Sequence, residues 1–279
     1  MNNEIEKLKE TILKDYPRMT PDSHFNFKCH PGVSCFNECC GDVNIFLTPY
    51  DIIRLKNNLG ISSSEFLKKY TLSPFDENLT YPVILLKMND NDKKTCPFVT
   101  DKGCSVYSDR PWACRMYPLG LASPKEGSEK LDKEFYFLLK ESVCKGFEEK
   151  KDRTVREWIE SEGIEEYNKM GEEFKELTLH QFFADKKNLN PQKIEMFYLA
   201  CYDLDKFRSF LFDSTFFDKF EIDGATQKNI KDDDVELLKF GYRWLRFALF
   251  GEKTIPVKGE VLEAKKEQIA KEQEKKSEK

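Results

Sequence analysis

The sequence lacks long apolar runs and the common nucleotide-binding and hydrolase motifs. No apolar run approaches the roughly 18 residues that are needed to span a bilayer, so we expect no membrane insertion. No two glycines stand at G-x-G spacing and no G-K-[ST] occurs, which excludes a dinucleotide fingerprint and a P-loop. The G-x-S-x-G and H-E-x-x-H motifs are also missing. Any catalysis would have to come from other side chains.

A strong charge of one sign is missing as well. Charged residues make up 34% of the chain, but the net charge is only −5, and nucleic-acid-binding domains usually carry a basic excess. We therefore expect no nucleic-acid partner. The opening segment, MNNEIEKLKETILKDYP, has no uninterrupted apolar stretch of the kind found in secretory signals. Its Ile5, Leu8 and Ile12 recur at helical spacing, which predicts an amphipathic helix before Pro17. Without a secretory signal or a membrane-spanning run, the sequence predicts a soluble, cytoplasmic protein.

Cysteine, by contrast, is abundant and unevenly distributed. Eight of the nine cysteines lie between residues 29 and 144, and four of them fall within CHPGVSCFNECC at residues 29–40. In a reducing compartment such clustering is more typical of metal binding or catalysis than of a disulfide framework. Thiolates are soft ligands for zinc and for iron–sulfur clusters, with about four protein ligands per centre. The candidate ligands are Cys29, Cys35, Cys39, Cys40, Cys96, Cys104, Cys114 and Cys144.

The number of thiols is compatible with two four-ligand sites or with one polynuclear site. Adjacent side chains such as Cys39 and Cys40 point in different directions, so the doublet favours two centres, a multinuclear cluster, or one ligand beside a reactive thiol. The paired C-x2-C units of zinc ribbons are absent. Asp42 stands where a C-x3-C-x2-C radical enzyme would have its third cysteine. A disulfide-rich fold stays open as an alternative.

Two arginines flank Cys114 in the sequence. Four thiolates around a divalent ion carry excess negative charge, which needs partners if it is buried. Arg110 and Arg115 are therefore candidates to donate hydrogen bonds to the sulfurs and to tune a redox potential. Surface or carboxylate pairing of both arginines is the alternative. His30, next to Cys29, is a weaker candidate ligand, and Cys201 is interpreted as a small apolar residue on a helix.

Cysteine content and periodicity together predict four segments. These are an N-terminal helix and lead-in (1–24), a cysteine-cluster metal-binding domain (25–147), a helical region (148–250) and a charged tail (251–279). We expect a helix-rich α+β fold in which short strands surround the metal and the C-terminal half is helical.

Several local signals predict where secondary structure begins. Thr48 and Pro49 predict a capped helix that ends at Gly60, and Ser62 predicts the start of the next one. The apolar run Pro82–Met88 predicts a strand, with a hairpin that leads toward Cys96. In the helical region, an Asn-Pro pair at residues 190–191 predicts the start of the helix that carries Cys201.

The order of these motifs resembles a known family. CHPGVSCFNECC, LTPYDIIRLKNNLGIS and CPFVTDKGCSVYSDRPWACRMYP, followed by CKG at Cys144, are similar to the bacterial and archaeal cysteine-cluster proteins of the YkgJ type. The resemblance covers roughly residues 25–147. It implies chelation of zinc or iron, including iron–sulfur clusters, through the eight cysteines named above. One branch is similar to flagellin lysine N-methylases and implies S-adenosylmethionine as a cofactor.

Three functions require the same thiols. The leading hypothesis is a cytoplasmic metal-binding protein that chelates zinc or iron, as ions or as an iron–sulfur cluster. The first alternative is a metal- or cluster-dependent protein-modifying enzyme, such as a protein lysine N-methylase, that binds S-adenosylmethionine and acts on a protein substrate. The second alternative is a module in which the metal only stabilises the domain that binds a partner protein. Whether the chain is an enzyme stays open at this point.

Overall fold

Short strands and helices alternate in the first part of the chain, and helices dominate the second part. The computed structural model describes residues 16–73, 80–122, 134–184 and 189–267. The chain divides into a first unit, Met1–Leu189, and a second unit, Asn190–Lys279. This is the helix-rich α+β architecture that the sequence predicts. The helix expected before Pro17 and the last part of the charged tail lie outside the described residues.

The first unit contains small antiparallel sheets. Its strands are β1 (His24–Asn26), β2 (Phe46–Leu47), β3 (Thr71–Leu72), β4 (Ile84–Leu86), β5 (Val99–Thr100), β6 (Gly103–Cys104), β7 (Leu119–Ala122), β8 (Phe135–Leu138) and β9 (Asp152–Thr154). β4 lies between β2 and β3 in a three-stranded sheet, while β1 pairs with β9, β5 with β6 and β7 with β8. Strands of two to four residues leave most of the chain around the cysteines in loops.

The described part of the first unit contains six helices, and the sequence predicts where the first two of them begin. They are α1 (Pro49–Leu59), α2 (Ser63–Tyr70), α3 (Trp112–Met116), α4 (Val155–Ser161), α5 (Ile164–Thr178) and α6 (Gln181–Ala184). The Thr48 side chain accepts a hydrogen bond from the Asp51 N–H at 3.1 Å, and the Ser62 side chain accepts one from the Glu65 N–H at 3.1 Å. Gly60 ends α1 with φ of 64°, a left-handed conformation that favours glycine. Both predicted helix starts are confirmed.

The strand predicted within Pro82–Met88 is confirmed as β4. Its hydrogen-bonded partners, however, precede it in the chain: Leu85 pairs with Phe46 of β2 and with Leu72 of β3. The polar turn that follows closes on itself, since the Asn89 N–H donates to the Thr95 carbonyl at 2.8 Å. The turn therefore returns the chain toward the cysteines without adding a strand next to β4.

Asp51 connects the start of α1 with the start of α3. Its fully buried carboxylate accepts hydrogen bonds from the Thr48 N–H and the Trp112 N–H, both at 2.7 Å. Burial raises the pKa of this carboxyl to about 6, although the hydrogen bonds from Trp112 and Thr48 favour its ionised form. Because α3 carries Cys114, this contact fixes one candidate ligand relative to α1.

Replacing Asp51 by alanine is expected to lower the free energy of unfolding by about 2–4 kcal/mol, because the carboxylate half of the capping box is lost and the Trp112 N–H loses its acceptor. The matched variant Thr48→Ala removes the hydroxyl half of the same capping box, leaves the bond to Trp112 in place, and is expected to cost about 1 kcal/mol. Urea denaturation of both variants measures the difference. Equal losses would show that the bond to Trp112 contributes nothing.

The apolar core of the first unit combines residues from both ends of that unit. Its buried members are Met19, Phe25, Phe27, Met116, Leu119, Val155, Trp158 and Ile164. Val155 and Trp158 lie on α4 and Ile164 begins α5, so these helices complete the same core as the segment before the first cysteine. Residue 147, where the sequence predicts the end of the cysteine-cluster domain, lies within this unit, and burial of Val155, Trp158 and Ile164 places α4 and the start of α5 in the same core. The predicted boundary itself stays a prediction.

The second unit is helical in its described part. Its helices are α7 (Pro191–Cys201), α8 (Leu204–Phe212), α9 (Phe216–Lys219), α10 (Gly224–Asp232) and α11 (Asp234–Leu245), with a π-helical turn at Arg246–Phe250 and helical residues at 259–267. The Asn190 side chain caps α7 by accepting from the Lys193 N–H at 2.9 Å. Cys201 is fully buried, which confirms its interpretation as an apolar residue.

Helices α7 and α11 approach each other closely at Gly241. A Cβ atom added at Gly241 would lie 2.5 Å from the carbonyl oxygen of Ala200, so only glycine allows this distance between the two helices.

Within the residues that the structure describes, none of the helices combines the length and apolar character that crossing a membrane requires.

Candidate metal centre

The eight candidate ligands lie mainly on loops and turns of the first unit. Cys39 and Cys40 end a 3-10 turn, Cys104 lies in β6, Cys114 lies in α3, and the other four are in connecting segments. All nine cysteines of the chain are among the described residues, and all nine are free thiols. The structure therefore does not support the disulfide-rich alternative.

Four of the thiols form a first group, which consists of Cys29, Cys35, Cys39 and Cys144. Burial raises the pKa of the Cys29 thiol to about 11, and the next causes are its electrostatic interactions with Cys39, Cys35 and Cys144. Backbone contacts hold these segments together: the Lys145 N–H donates to the Cys35 sulfur at 3.1 Å. The Lys28 N–H donates to the Gly146 carbonyl at 3.1 Å. The segment after Cys144 thus lies against the segment that carries Cys29 and Cys35.

The other four thiols form a second group, which consists of Cys40, Cys96, Cys104 and Cys114. The Cys96 N–H donates to the Cys40 carbonyl at 2.7 Å, which joins the turn that carries the doublet to the β5–β6 hairpin. Burial raises the pKa of the Cys114 thiol to about 12, and Cys96 and Cys104 are among the charges that raise it further. Cys40 interacts electrostatically with Cys96 and Cys114. Each member of this group therefore interacts electrostatically with at least one other member.

The two groups meet at the adjacent cysteines. A hydrogen bond between the two thiols lowers the pKa of Cys39 to about 7, close to neutrality, and is the largest cause of the raised pKa of Cys40. The two thiols of the doublet therefore lie within reach of each other. Beyond this contact, Cys39 lies near Cys29, whereas Cys40 lies near Cys96 and Cys114. The doublet divides its two thiols between the groups.

Backbone N–H groups point at the sulfurs of the second group. Burial is the main cause of the raised pKa of Cys96, but hydrogen bonds from the N–H groups of Phe98 and Val99 act in the opposite direction. The same balance holds at Cys104, where the Val106 N–H stabilises the thiolate against burial. Such donors are already placed to stabilise negative charge on sulfur, as the ligands of a cation require.

The backbone around the cysteines depends on two glycines. Gly103, directly before Cys104, has φ of 110°, a conformation that residues with a side chain rarely adopt. At Gly41, directly after the doublet, an added Cβ would lie 2.8 Å from the carbonyl oxygen of Lys93. Gly41 therefore allows the polar turn at residues 89–95 to approach the doublet.

Arg115 donates hydrogen bonds to the backbone. Its guanidinium donates to the carbonyl oxygens of Arg110 at 3.1 Å, Glu162 at 2.6 Å and Ser108. These bonds join α3 to the turn before it and to the end of α4. Three of the five N–H groups of this buried side chain thus have carbonyl partners, and the expected bond from Arg115 to a ligand sulfur stays a prediction.

Arg110 also donates its hydrogen bonds elsewhere, but its charge still reaches the thiols. The guanidinium donates to the Tyr107 carbonyl at 2.7 Å, pairs with the Glu162 carboxylate, and lies 3.8 Å from the centre of the Tyr107 ring. Its positive charge lowers the pKa values of Cys104 and Cys114, against the larger effect of burial. Arg110 thus acts on the second group through space, and the carboxylate pairing considered for it is present.

His30 is directed toward other protein groups. Its Nδ1 accepts a hydrogen bond from the Gly32 N–H at 3.1 Å, and its Nε2 lies 3.5 Å from the Glu149 carboxylate. Since both ring nitrogens have partners, the structure gives no support to His30 as a ligand.

The donor set fits a thiophilic metal. In the absence of a cation, the clustered thiols raise one another's pKa values, and a bound cation reverses that effect by stabilising the thiolates. Cys29, Cys39 and Cys114 retain accessible surface, although burial raises the pKa values of Cys29 and Cys114.

The sulfurs do not yet form a closed coordination shell. Throughout the described ranges, no group of three or more His, Cys, Asp or Glu side chains is already arranged to hold a metal ion. Metal binding therefore requires the thiols to converge, and rotation about the Cα–Cβ bonds provides such movement.

Comparison with known proteins identifies the family. The family CxxCxxCC, described as a "Putative zinc- or iron-chelating domain", matches residues 28–175, which is more than half of the chain. The chain belongs to this family. No curated protein and no solved structure matches the chain significantly. The expected resemblance to a cysteine-cluster family is thus confirmed, and metal chelation is the function that the family description indicates.

The CxxCxxCC match contains all eight candidate ligands and continues into α5. In this chain the first four cysteines follow the spacing C-x5-C-x3-C-C, which is wider than the spacing in the family's name. The extension of the match to residue 175 agrees with the shared core, in which α4 and α5 belong to the same unit as the cysteines.

Three of the groups that lie at the site were not predicted from the sequence. These are the Asp51 carboxylate, the Lys145 N–H and the hydroxyl of Tyr117. Asp51 could have been found from its position three residues after the Thr48 cap, where an acidic residue completes a capping box. The contacts of Lys145 and Tyr117 depend on distant parts of the chain and leave no local signal.

Proposed function

We propose that the chain holds zinc or iron in two separate four-thiolate centres. The first centre consists of Cys29, Cys35, Cys39 and Cys144, and the second consists of Cys40, Cys96, Cys104 and Cys114. The observation that carries this proposal is a pair of backbone contacts. The Lys145 N–H donates to the Cys35 sulfur, which places Cys144 beside Cys35, and the Cys96 N–H donates to the Cys40 carbonyl, which places Cys96 beside Cys40. The interactions of Cys29 with Cys39, and of Cys40 with Cys96 and Cys114, agree with this division.

Four thiolates per centre suit two kinds of metal site. Structural zinc is bound tetrahedrally by four cysteines, and common iron–sulfur clusters are also held by four cysteine thiolates. The soft sulfur donors disfavour calcium and magnesium, which prefer oxygen ligands. When bound, zinc would supply structural cross-links between loops, and an iron–sulfur cluster would also supply electron transfer.

The hydrogen-bond donors support both centres. The Lys145 N–H donates to the sulfur of Cys35 in the first centre. The N–H groups of Phe98, Val99 and Val106 lie close enough to sulfurs of the second to favour the thiolate form. Hydrogen bonds to ligand sulfurs stabilise thiolates and, in iron–sulfur proteins, shift the reduction potential. The charge of Arg110 adds to this effect at the second centre.

Anaerobic purification, followed by metal analysis and an optical spectrum on the same sample, tests the proposal. Zinc protein is expected to be colourless with two zinc ions per chain and eight protected thiols. Iron–sulfur protein is expected to absorb broadly in the visible range and to contain acid-labile sulfide. Protein purified with eight freely reactive thiols, and unable to take up either metal, would contradict the proposal.

A further inference from the structure

The hydroxyl of Tyr117 is a buried polar group at the first centre. It makes no hydrogen bond of standard geometry in the structure. Buried polar groups nearly always have a hydrogen-bond partner, so an exception in a native structure requires an explanation. Phenylalanine would fill the same space without this difficulty.

Packing determines where this hydroxyl points. The Tyr117 ring contacts the Phe27 ring edge to face, with 5.9 Å between the two ring centres. Phe27 is buried in the core of the first unit, and both Tyr117 and Cys144 pack against that core. The ring is therefore held by apolar contacts, and the position of its hydroxyl follows from them.

Two thiols and one carboxylate interact electrostatically with the hydroxyl. Burial is the main cause of the raised pKa of Tyr117, and the next is its interaction with the sulfur of Cys144 as a hydrogen-bond acceptor. Cys39 and Glu141 contribute weaker electrostatic interactions. Glu141 is exposed to solvent, which weakens its attraction for the hydroxyl. Of these three groups, Cys144 is the one whose interaction with the hydroxyl is that of a hydrogen-bond acceptor.

Metal binding changes the sulfur of Cys144 as an acceptor. A protonated thiol accepts hydrogen bonds weakly, whereas a coordinating thiol loses its proton and carries negative charge. Hydrogen bonds to charged acceptors are shorter and stronger than those to neutral ones. The hydroxyl therefore has a weak partner in the metal-free protein and gains a strong one when the first centre is filled.

We propose that the Tyr117 hydroxyl donates a hydrogen bond to the metal-bound sulfur of Cys144 and thereby slows metal release from the first centre. This inference rests on the proposed function, because it assumes that Cys144 is a ligand. Tyr117 is a positioning residue: it does not bind the metal, and it acts on a ligand sulfur. Tyr117 is not expected to affect metal release from the second centre.

Zinc release from the Tyr117→Phe variant tests this role. The zinc-loaded protein is mixed with excess chelator, and pulse alkylation with mass spectrometry follows the exposure of each cysteine. Loss of the hydrogen bond is expected to speed exposure of Cys29, Cys35, Cys39 and Cys144 roughly tenfold, with the second group unchanged. The matched control is Tyr136→Phe, because Tyr136 packs on the same core and its electrostatic neighbours are Glu134 and Lys175.

Two results would overturn the inference while leaving the proposed function intact. One is exposure of the first group at the wild-type rate in Tyr117→Phe. The other is an equal acceleration in Glu141→Gln, which would show that the carboxylate is the acceptor. Failure of the proposed function is separate and visible in the wild-type protein, whose thiols would then be alkylated at once, with or without zinc.

A second measurement covers the case in which Tyr117→Phe does not fold. A 3-fluorotyrosine introduced at position 117 alone keeps both the ring and the hydroxyl. Its fluorine NMR signal is expected to shift when zinc is added, because the neighbouring sulfur changes from thiol to thiolate. An unchanged signal in protein that has taken up zinc would overturn the inference.

Discussion

Replacing Cys40 by serine is expected to reduce the metal content from two zinc ions per chain to one. The variant removes one ligand from the second centre, so Cys96, Cys104 and Cys114 become reactive while the first group stays protected. The adjacent variant Cys39→Ser is expected to give the reverse result, with Cys29, Cys35 and Cys144 exposed. The four metal–sulfur bonds of such a site together supply a binding free energy of about 10–16 kcal/mol. Loss of one of the four ligands therefore strongly lowers zinc affinity.

This pair of variants is a matched test, since the two positions differ by one residue within the same turn. Metal analysis gives the stoichiometry, and site-resolved alkylation identifies the thiols that are released. Cys201→Ala serves as a further control: Cys201 is buried in α7, and its loss is expected to leave both zinc ions in place. If Cys39→Ser and Cys40→Ser released the same set of cysteines, one polynuclear site would replace the two proposed centres.

Removing the metal is expected to open the cysteine segments while the core of the first unit stays folded. Between residues 28 and 45, Val33 is the one buried side chain, and between residues 87 and 105 the buried positions are Phe98 and Gly103. These segments bury little apolar surface, and their strands are only two residues long. Metal coordination is therefore expected to supply most of their stability.

Hydrogen exchange measured by mass spectrometry checks this expectation. Chelation is expected to speed amide exchange at residues 28–45 and 87–105 by at least about 100-fold, because local opening then no longer breaks metal–sulfur bonds. The second unit serves as an internal control, since its single cysteine is not a candidate ligand. Equal exchange with and without metal would show that coordination does not stabilise these loops. Faster exchange across the whole first unit would show that the metal supports the core as well.

Local signals in the sequence were sufficient to predict where several helices begin. Thr48 with Pro49, Ser62, and Asn190 with Pro191 each start a helix in the structure, because the capping hydrogen bonds involve residues only three positions apart. The candidate ligands were also visible, since clustered thiols mark a site by composition alone. Such features need no knowledge of distant contacts.

Grouping of the ligands could not be predicted in the same way. Cys144 joins the first group through contacts such as the bond from the Lys145 N–H to the Cys35 sulfur, which links positions 110 residues apart. The partners of Arg110 and Arg115 depend on the end of α4, around Glu162. The extent of the first unit likewise depends on Val155 and Trp158, whose helical pattern shows a buried face but not the surface that covers it.

The two groups of thiols also differ in when the growing chain completes them during translation. The last member of the second group is Cys114, and the last member of the first group is Cys144, 30 residues later in the chain. Protein synthesis proceeds from the N-terminus at roughly 5–20 residues per second, so a few seconds separate the emergence of these two cysteines. During that interval a nascent chain presents a full second set and an incomplete first set. For the two centres proposed above, the order in which the ribosome delivers the candidate ligands favours filling of the second before the first.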